Sequence, residues 1–205
     1  MQKYCRKIHI YCGLALLPLI LLFSVSGLML NNPGWNITQY WSQRQETTSE
    51  RIIEPPRATG DLERARELLR QLGLSGEIER TTSYPEGDHF DFQVVRPGRI
   101  IEVKCDLAEK KAAVKQIQTN QWGVLSMLHT FTGVRQNDPD KTRNWIMTTI
   151  WSATIDALAL GLIVMVLSSL YLSILDEERR GLKLSALSLG LLTAIFFVFG
   201  LDWLF

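Results

Sequence analysis

Histidine and cysteine are scarce in this 205-residue chain, three of each, and the common catalytic spacings are missing. The sequence contains no Cys-x-x-Cys, no His-Glu-x-x-His, no Gly-x-Ser-x-Gly and no glycine-rich phosphate loop. The metal, redox, acyl-transfer and nucleotide chemistries that depend on those spacings therefore have no carrier. A disulfide framework is excluded too: Cys5 and Cys12 sit at the start of an apolar run, and Cys105 stands alone in the polar segment. Cys105 alternates in register with Ile101 and Val103, so it reads as a small buried apolar residue, with a free redox thiol as the alternative. An excess of charge of one sign is also lacking. Against 22 Lys/Arg stand 21 Asp/Glu, and no basic patch argues for nucleic acid as a partner. Acidic and basic side chains are interleaved in the polar segment, the pattern of a solvated surface.

What is present is hydrophobicity in blocks. The stretches 8–30, 146–175 and 184–205 each hold one residue able to carry charge, His9, Asp156 and Asp202 respectively. Each reaches the ~20 residues that cross ~30 Å of hydrocarbon. Between the first two, Asn31 to Asn144 carries 16 Lys/Arg and 16 Asp/Glu and is a water-soluble segment. Residues 1–7 hold Lys3, Arg6 and Lys7, and the loop 176–183 holds Arg179, Arg180 and Lys183, so both are expected in the cytoplasm and the soluble segment outside it. Trp35, Trp41, Trp122, Trp145, Trp151 and Trp203 all flank or enter the span ends assigned outside, where indole prefers the headgroup level. A cleavable signal over residues 1–26, ending near Ser24 and Ser26, is the competing reading; the apolar run continues through Leu28, Met29 and Leu30, which favours a retained anchor.

Within the soluble segment, 31–58 reads as a polar linker of little regular structure, with Gln43 to Thr48 and Pro55-Pro56 at its centre. Residues 59–118 read as one compact domain. Asp61 is placed to N-cap a helix bearing Leu62, Ala65, Leu69 and Leu72 at helical spacing, and Gly73 supplies the stop. The period then changes to two: Phe90, Phe92 and Val94 share a face, as do Ile101, Val103 and Cys105 beyond the turn Arg96-Pro97-Gly98-Arg99. Glu77 to Tyr84 and Ala112 to Ile117 supply outer strands, the first joined through Pro85-Glu86-Gly87-Asp88. Residues 119–145 form an amphipathic helix, Trp122 to Gly133, and a loop. The expected fold class is an α+β membrane protein, with three transmembrane helices and one small domain of a helix on an antiparallel sheet.

That organisation, with Ile-Ile-Glu-Val-Lys at 100–104 before a charged turn, resembles a PepSY domain. The tract Arg6-Lys7-Ile8-His9-Ile10-Tyr11-Cys12-Gly13-Leu14, with Ser26-Gly27-Leu28-Met29-Leu30-Asn31, is similar to the first helix of PepSY-associated transmembrane proteins. Leu128-His129 is similar to their second entry motif. Two departures stand out: Leu167-Ser168-Ser169-Leu170-Tyr171-Leu172 occupies the place of the family's usual Ser-Gly, and larger reductase-like relatives have four or more spans. The resemblance implies a bacterial inner-membrane protein with its small domain in the periplasm. It also implies two possible roles, because larger relatives include haem-containing ferric-siderophore reductases and PepSY domains occur in protease propeptides.

The candidate residues follow. His9 and His129 fall at opposite ends of the first two spans, so one protomer cannot clamp a single haem b iron with both; His129 with Met29 is the better pair. The structural alternatives are an interfacial His9 and a His129 on a surface helix. His89 lies on the polar face of a strand. Asp156 is a carboxylate two turns inside a span, a costly placement that by default faces protein or water, with Ser24 or Ser26 as hydrogen-bonding candidates or a cation from another subunit. Ala153, Ala157 and Gly161 share its helix as a small-residue stripe that admits another helix closely, and Gly181, Ser185, Ala186 and Gly190 give the third span a similar one. The leading expectation is a non-enzymatic accessory subunit or assembly factor whose partners are membrane lipid and another integral membrane protein or a second copy. A haem-bearing electron carrier and a regulator of an extracytoplasmic protease are the alternatives.

Overall fold

The computed structural model describes residues 2–84, 88–134, 142–175, 178 and 180–200. The turn at Pro85 to Gly87, the loop cation Arg179, and Asp202 and Trp203 at the end of the third span lie outside the described residues. Among the described residues, three helices are long and apolar enough to cross a membrane: Gln2–Asn31, Ile146–Leu175 and Arg180–Gly200. Contacts divide the chain into two units, one of Met1–Leu17 with Ala157–Phe205 and one of Pro18–Asp156.

The larger unit is built on a five-stranded antiparallel sheet in the order β1-β5-β4-β3-β2. Its strands are β1 (Gln45–Ile52), β2 (Glu77–Ser83), β3 (His89–Arg96), β4 (Arg99–Asp106) and β5 (Lys111–Gln118). Strands β2 to β5 form a meander, and α2 (Asp61–Gln71) lies on one face of it. Alternation decides which face. Phe90, Phe92 and Val94 from β3, Ile101, Val103 and Cys105 from β4, and Ala112 and Val114 from β5 meet Ala65, Leu68 and Leu72 in one buried cluster. Each large side chain removed from water there contributes about 1.5–3 kcal/mol. Pro97-Gly98 closes the β3–β4 hairpin with Gly98 at φ +82°, a conformation that favours glycine.

Helix α2 starts differently from expectation. Gly60 occupies the N-cap without a side-chain bond, and Asp61 is the first helical residue, accepting a hydrogen bond from Ser83 Oγ at 2.7 Å. Its end is as read: Gly73 has φ +64°, Leu74 N–H donates to Leu69 O at 3.0 Å and Gly73 N–H to Arg70 O at 3.2 Å, the paired bonds of a Schellman stop.

The tract read as an irregular linker contains a strand of eight residues. Two 3-10 turns, Asn36–Thr38 and Tyr40–Gln43, lead into β1, which pairs with β5 from Gln45↔Gln118 to Ile52↔Lys111. Seven of its eight residues are exposed, so it carries none of the alternation that marks a half-buried strand. Glu46 fastens it, 2.7 Å from Arg44 Nε and 3.0 Å from Lys115 Nζ. The Lys115 bond, then the Arg44 bond, hold the Glu46 carboxyl below the ordinary carboxylate range.

Helix α3 (Gln121–Thr130) is shorter than the expected 122–133 and is capped by Asn120, whose Oδ1 accepts from Gly123 N–H at 3.2 Å. It packs against the β3–β4 turn: a Cβ at Gly98 would collide with Val124. The second half of α1 (Gln2–Asn31) and the start of α4 (Ile146–Leu175) complete this unit.

In the smaller unit, the first half of α1 packs on the later part of α4. Cys5, His9, Cys12 and Leu16 recur at steps of four and three, one face of a helix. Gly161 is the close-contact point, since a Cβ there would strike Leu16, and Cys12 Sγ donates to Gly161 O at 3.6 Å. Helix α5 (Arg180–Ile195), continued by π-helical turns at Phe196–Gly200, buries no residue.

Candidate functional site

In the larger unit, His129 on α3 meets the inward face of α1. Its Nδ1 lies 2.7 Å from Ser26 Oγ, and its ring sits 5.1 Å from that of Phe23, which stacks on Trp151 of α4 at 6.1 Å. Ser26 and Met29, one turn apart, are 0% and 2% exposed. The serine also lies 2.8 Å from Leu22 O and 3.1 Å from Phe23 O. A hydroxyl owns one proton, and two oxygens that close must share it. The serine hydroxyl lies within hydrogen-bonding reach of both helix carbonyls and of His129 Nδ1, so Nδ1 is the ring nitrogen that α1 holds.

The smaller unit repeats the arrangement. His9 Nδ1 is 2.9 Å from Ser168 Oγ, and Ser168 is 2.9 Å from Met165 O, so here too a helix serine holds Nδ1. Cys5 Sγ donates to the Ser168 carbonyl at 3.8 Å. Among the described residues Nε2 of neither histidine has a hydrogen-bond partner. His89, by contrast, is exposed on β3, 3.9 Å from Asp106, and no cluster of three or more His, Cys, Asp or Glu able to hold a metal exists among the described residues.

The small-residue stripe divides between two surroundings. Gly161 faces Leu16 and Cys12 of its own chain, which fill the space its missing side chain leaves. Ala153, Asp156 and Ala157 are exposed. Asp156 makes no hydrogen bond or ion pair among the described residues. The expected bond from Ser26 is absent because Ser26 is committed to His129 and its own helix, and Ser24 is exposed without a bond to Asp156.

Sequence reasoning did not find the most buried carboxylate among the described residues. Glu77 opens β2 at 1% exposure. Its Oε1 accepts from Asn144 N–H at 2.6 Å and its Oε2 from Trp145 N–H at 3.0 Å, immediately before α4 begins at Ile146. Asn144 answers with its amide, accepting from Ile78 N–H at 2.8 Å and donating to Ile78 O at 2.9 Å. The domain thus caps a membrane helix with a carboxylate, and the negative charge faces the positive end of the helix dipole. A register shift between Ile78 and Arg80 lies beside this clamp, where a bulge re-aims the strand. A cavity of about 260 Å³ adjoins it, lined by Val95, Ile100, Met127 and Phe131 as well as Glu77 and Glu79. Burial pushes the Cys105 thiol up to about 12, with Asp91 adding to the effect, so Cys105 is the inert packing residue of the two readings.

Among known proteins, a family model described as PepSY_TM-like matches residues 3–201. No curated protein and no solved structure matches the chain.

Proposed function

Because the chain belongs to the PepSY_TM-like family, we propose that it is a non-enzymatic accessory subunit or assembly factor of a membrane complex, docking through its spans and presenting the PepSY-like domain to a partner outside the cytoplasm. The observation that carries this reading is Asp156. A carboxylate about three turns into α4, exposed and without a partner among the described residues, is costly in hydrocarbon and calls for a donor or cation from another chain. Ala153 and Ala157 flank it with little bulk, so a second helix reaches it closely. That helix belongs to another integral membrane protein or to a second copy. In this reading the membrane is the bacterial inner membrane. Lys3, Arg6, Lys7, Arg180 and Lys183 lie on the cytoplasmic side and the sheet domain in the periplasm.

The test is purification of the full chain in mild detergent with mass spectrometry of what accompanies it. The wild type should bring down a stoichiometric companion or a second copy, and both Asp156→Leu and Asp156→Asn should lose it if the partner supplies a cation. A strictly monomeric wild type without companion would end the proposal.

A second reading, a haem-bearing electron carrier in periplasmic iron reduction, draws support from the two serine–histidine pairs. A histidine ligand ordinarily gives iron one ring nitrogen while the other is held by a hydrogen bond, and His9 and His129 each have Nδ1 so held. His129 with Met29, or either histidine with a residue of a second copy, would hold the iron, and haem would contribute one-electron transfer. A Soret band that His129→Ala or His9→Ala removes would support this reading, whereas protein from haem-replete cells without such a band would refute it. One preparation separates the two proposals.

A further inference from the structure

Strand β1 is one edge of the sheet. Ile53 N–H donates to Lys110 O at 2.9 Å, which makes those two a hydrogen-bonded pair. By alternation, Gln45, Thr47, Ser49 and Arg51 also turn their backbone groups toward β5. The N–H and C=O groups of Glu46, Thr48, Glu50 and Ile52 therefore point away from the sheet, and among the described residues no backbone or side-chain group bonds them. Their side chains share the face opposite α2, because Ile53, in the other phase, lies in the core cluster. On that face Glu50 is exposed and Ile52 is 90% exposed. The ladder to β5 runs through eight pairs without a register shift, and no proline interrupts the strand, so neither backbone device that ordinarily blunts an edge is present. The opposite edge is treated differently: at the start of β2, the Asn144 side chain takes both the N–H and the C=O of Ile78.

We propose that the outer edge of β1 receives an extended segment of the partner protein as an added strand, a Lys or Arg of that segment facing Glu50 and an apolar side chain lying against Ile52. This placement rests on reading the chain as a subunit with a partner outside the membrane, and it names the surface that partner uses. Charge decides the occupant. Glu46 is already held by Arg44 and Lys115. Glu50 makes no hydrogen bond or ion pair among the described residues; it attracts Lys111 only at longer range, and Lys111 bonds Glu109. A second copy, added antiparallel about a two-fold axis, must match outward groups with outward groups, so even-numbered residues face even-numbered ones. The registers that overlap most of the strand then set Glu46 against Glu50, or Glu50 against itself, or bring both carboxylates of each copy into one diagonal row. Like charges so placed repel. A strand from another chain with a cation opposite Glu50 replaces that repulsion with attraction.

Hydrogen exchange of the full chain in mild detergent reads strand addition directly, with an end-blocked synthetic peptide of about seven residues, alternating Lys and Val, as the probe. The outward amides of Glu46, Thr48, Glu50 and Ile52 should exchange fast in the free protein and slowly under the peptide. A peptide alternating Glu and Val should bind about fivefold more weakly or worse, and Glu50→Lys should reverse that preference. Thr48→Pro deletes an outward donor without removing a bond to β5, so it should weaken the Lys peptide by about fivefold. Glu50→Gln leaves the backbone intact and should remove most of the preference, which covers the case in which the proline variant does not fold. No slowing in β1, equal binding of the two peptides, a preference unmoved by the Glu50 variants, slowing along β2 instead, or β1 amides already slow in a dimer of the free chain would each overturn the proposal. A wild-type companion that Thr48→Pro and Glu50→Lys both retain would end the added strand and leave the accessory role standing. A chain without companion that still takes up the Lys peptide would do the reverse.

Discussion

Removing the Glu77 carboxylate should loosen the first turn of α4 from the sheet domain. The group is 1% exposed and accepts two backbone N–H groups, from Asn144 at 2.6 Å and Trp145 at 3.0 Å. Hydrogen bonds to a charged acceptor are worth about 1.5–3 kcal/mol each. Proximity to a helix N-terminus adds about 0.3–1 kcal/mol. Glu77→Gln keeps one carbonyl acceptor and turns an NH2 toward the other N–H, so it loses one bond and the charge, about 2 kcal/mol. Local opening should become about thirtyfold more frequent. Glu77→Ala strands both donors and leaves a void, and its effect should be larger. Hydrogen exchange of the full chain in detergent, followed over a peptide spanning 142–149, measures this. The amides of Asn144, Trp145 and the first turn of α4 should exchange about thirtyfold faster in Glu77→Gln, and Asn144→Ala should reproduce the effect by removing the two bonds to Ile78. Unchanged exchange there in Glu77→Ala, with α2 still protected, would refute the clamp.

Cys105 should resist alkylation at pH 9 in the folded protein and react at once when the chain is unfolded. A thiol pushed up to about 12 is about one part in a thousand thiolate at that pH, and the reactive fraction should rise only as pH approaches 12. Ala157→Leu should disrupt a complex without lowering thermal stability in detergent, because Ala157 is exposed. Gly161→Leu should lower stability by about 1–3 kcal/mol through collision with Leu16; equal stability of the two variants would count against the division of the stripe. Gly98→Ala combines φ +82° with a collision at Val124. It should cost about 2–4 kcal/mol, read as a fall of several degrees in Tm.

The parts of this fold legible in the sequence are those with a period. Helix α4 covers the apolar block 146–175, and β3, β4 and β5 follow the alternation of Phe90, Phe92, Val94, Ile101, Val103 and Cys105. Strand β1 was illegible because water reaches nearly all of it: Gln-Glu-Thr-Thr-Ser-Glu-Arg has no buried face, and its order comes from backbone pairing with residues about seventy positions away. Glu77 was illegible for the opposite reason, since a glutamate beside Glu79 and Arg80 looks like solvated surface until Asn144 is brought against it. The serine partners do carry a signal in the sequence. Ser26 shares the heptad face of α1 with His9, Cys12, Leu16 and Phe23, and a polar residue in such a seam asks for a partner across it.

The two long-range attachments of the sheet domain also set an order of assembly. Strand β1 is synthesised before any strand it pairs with and must wait for β5. The Glu77 carboxylate must wait longer, because its donors at Asn144 and Trp145 come 67 and 68 residues later. During biogenesis the domain therefore exists first as a nearly finished body with one buried acid still hydrated. The arrival of the second span closes it, so that integration of that helix into the bilayer and the last step of folding outside it become a single event.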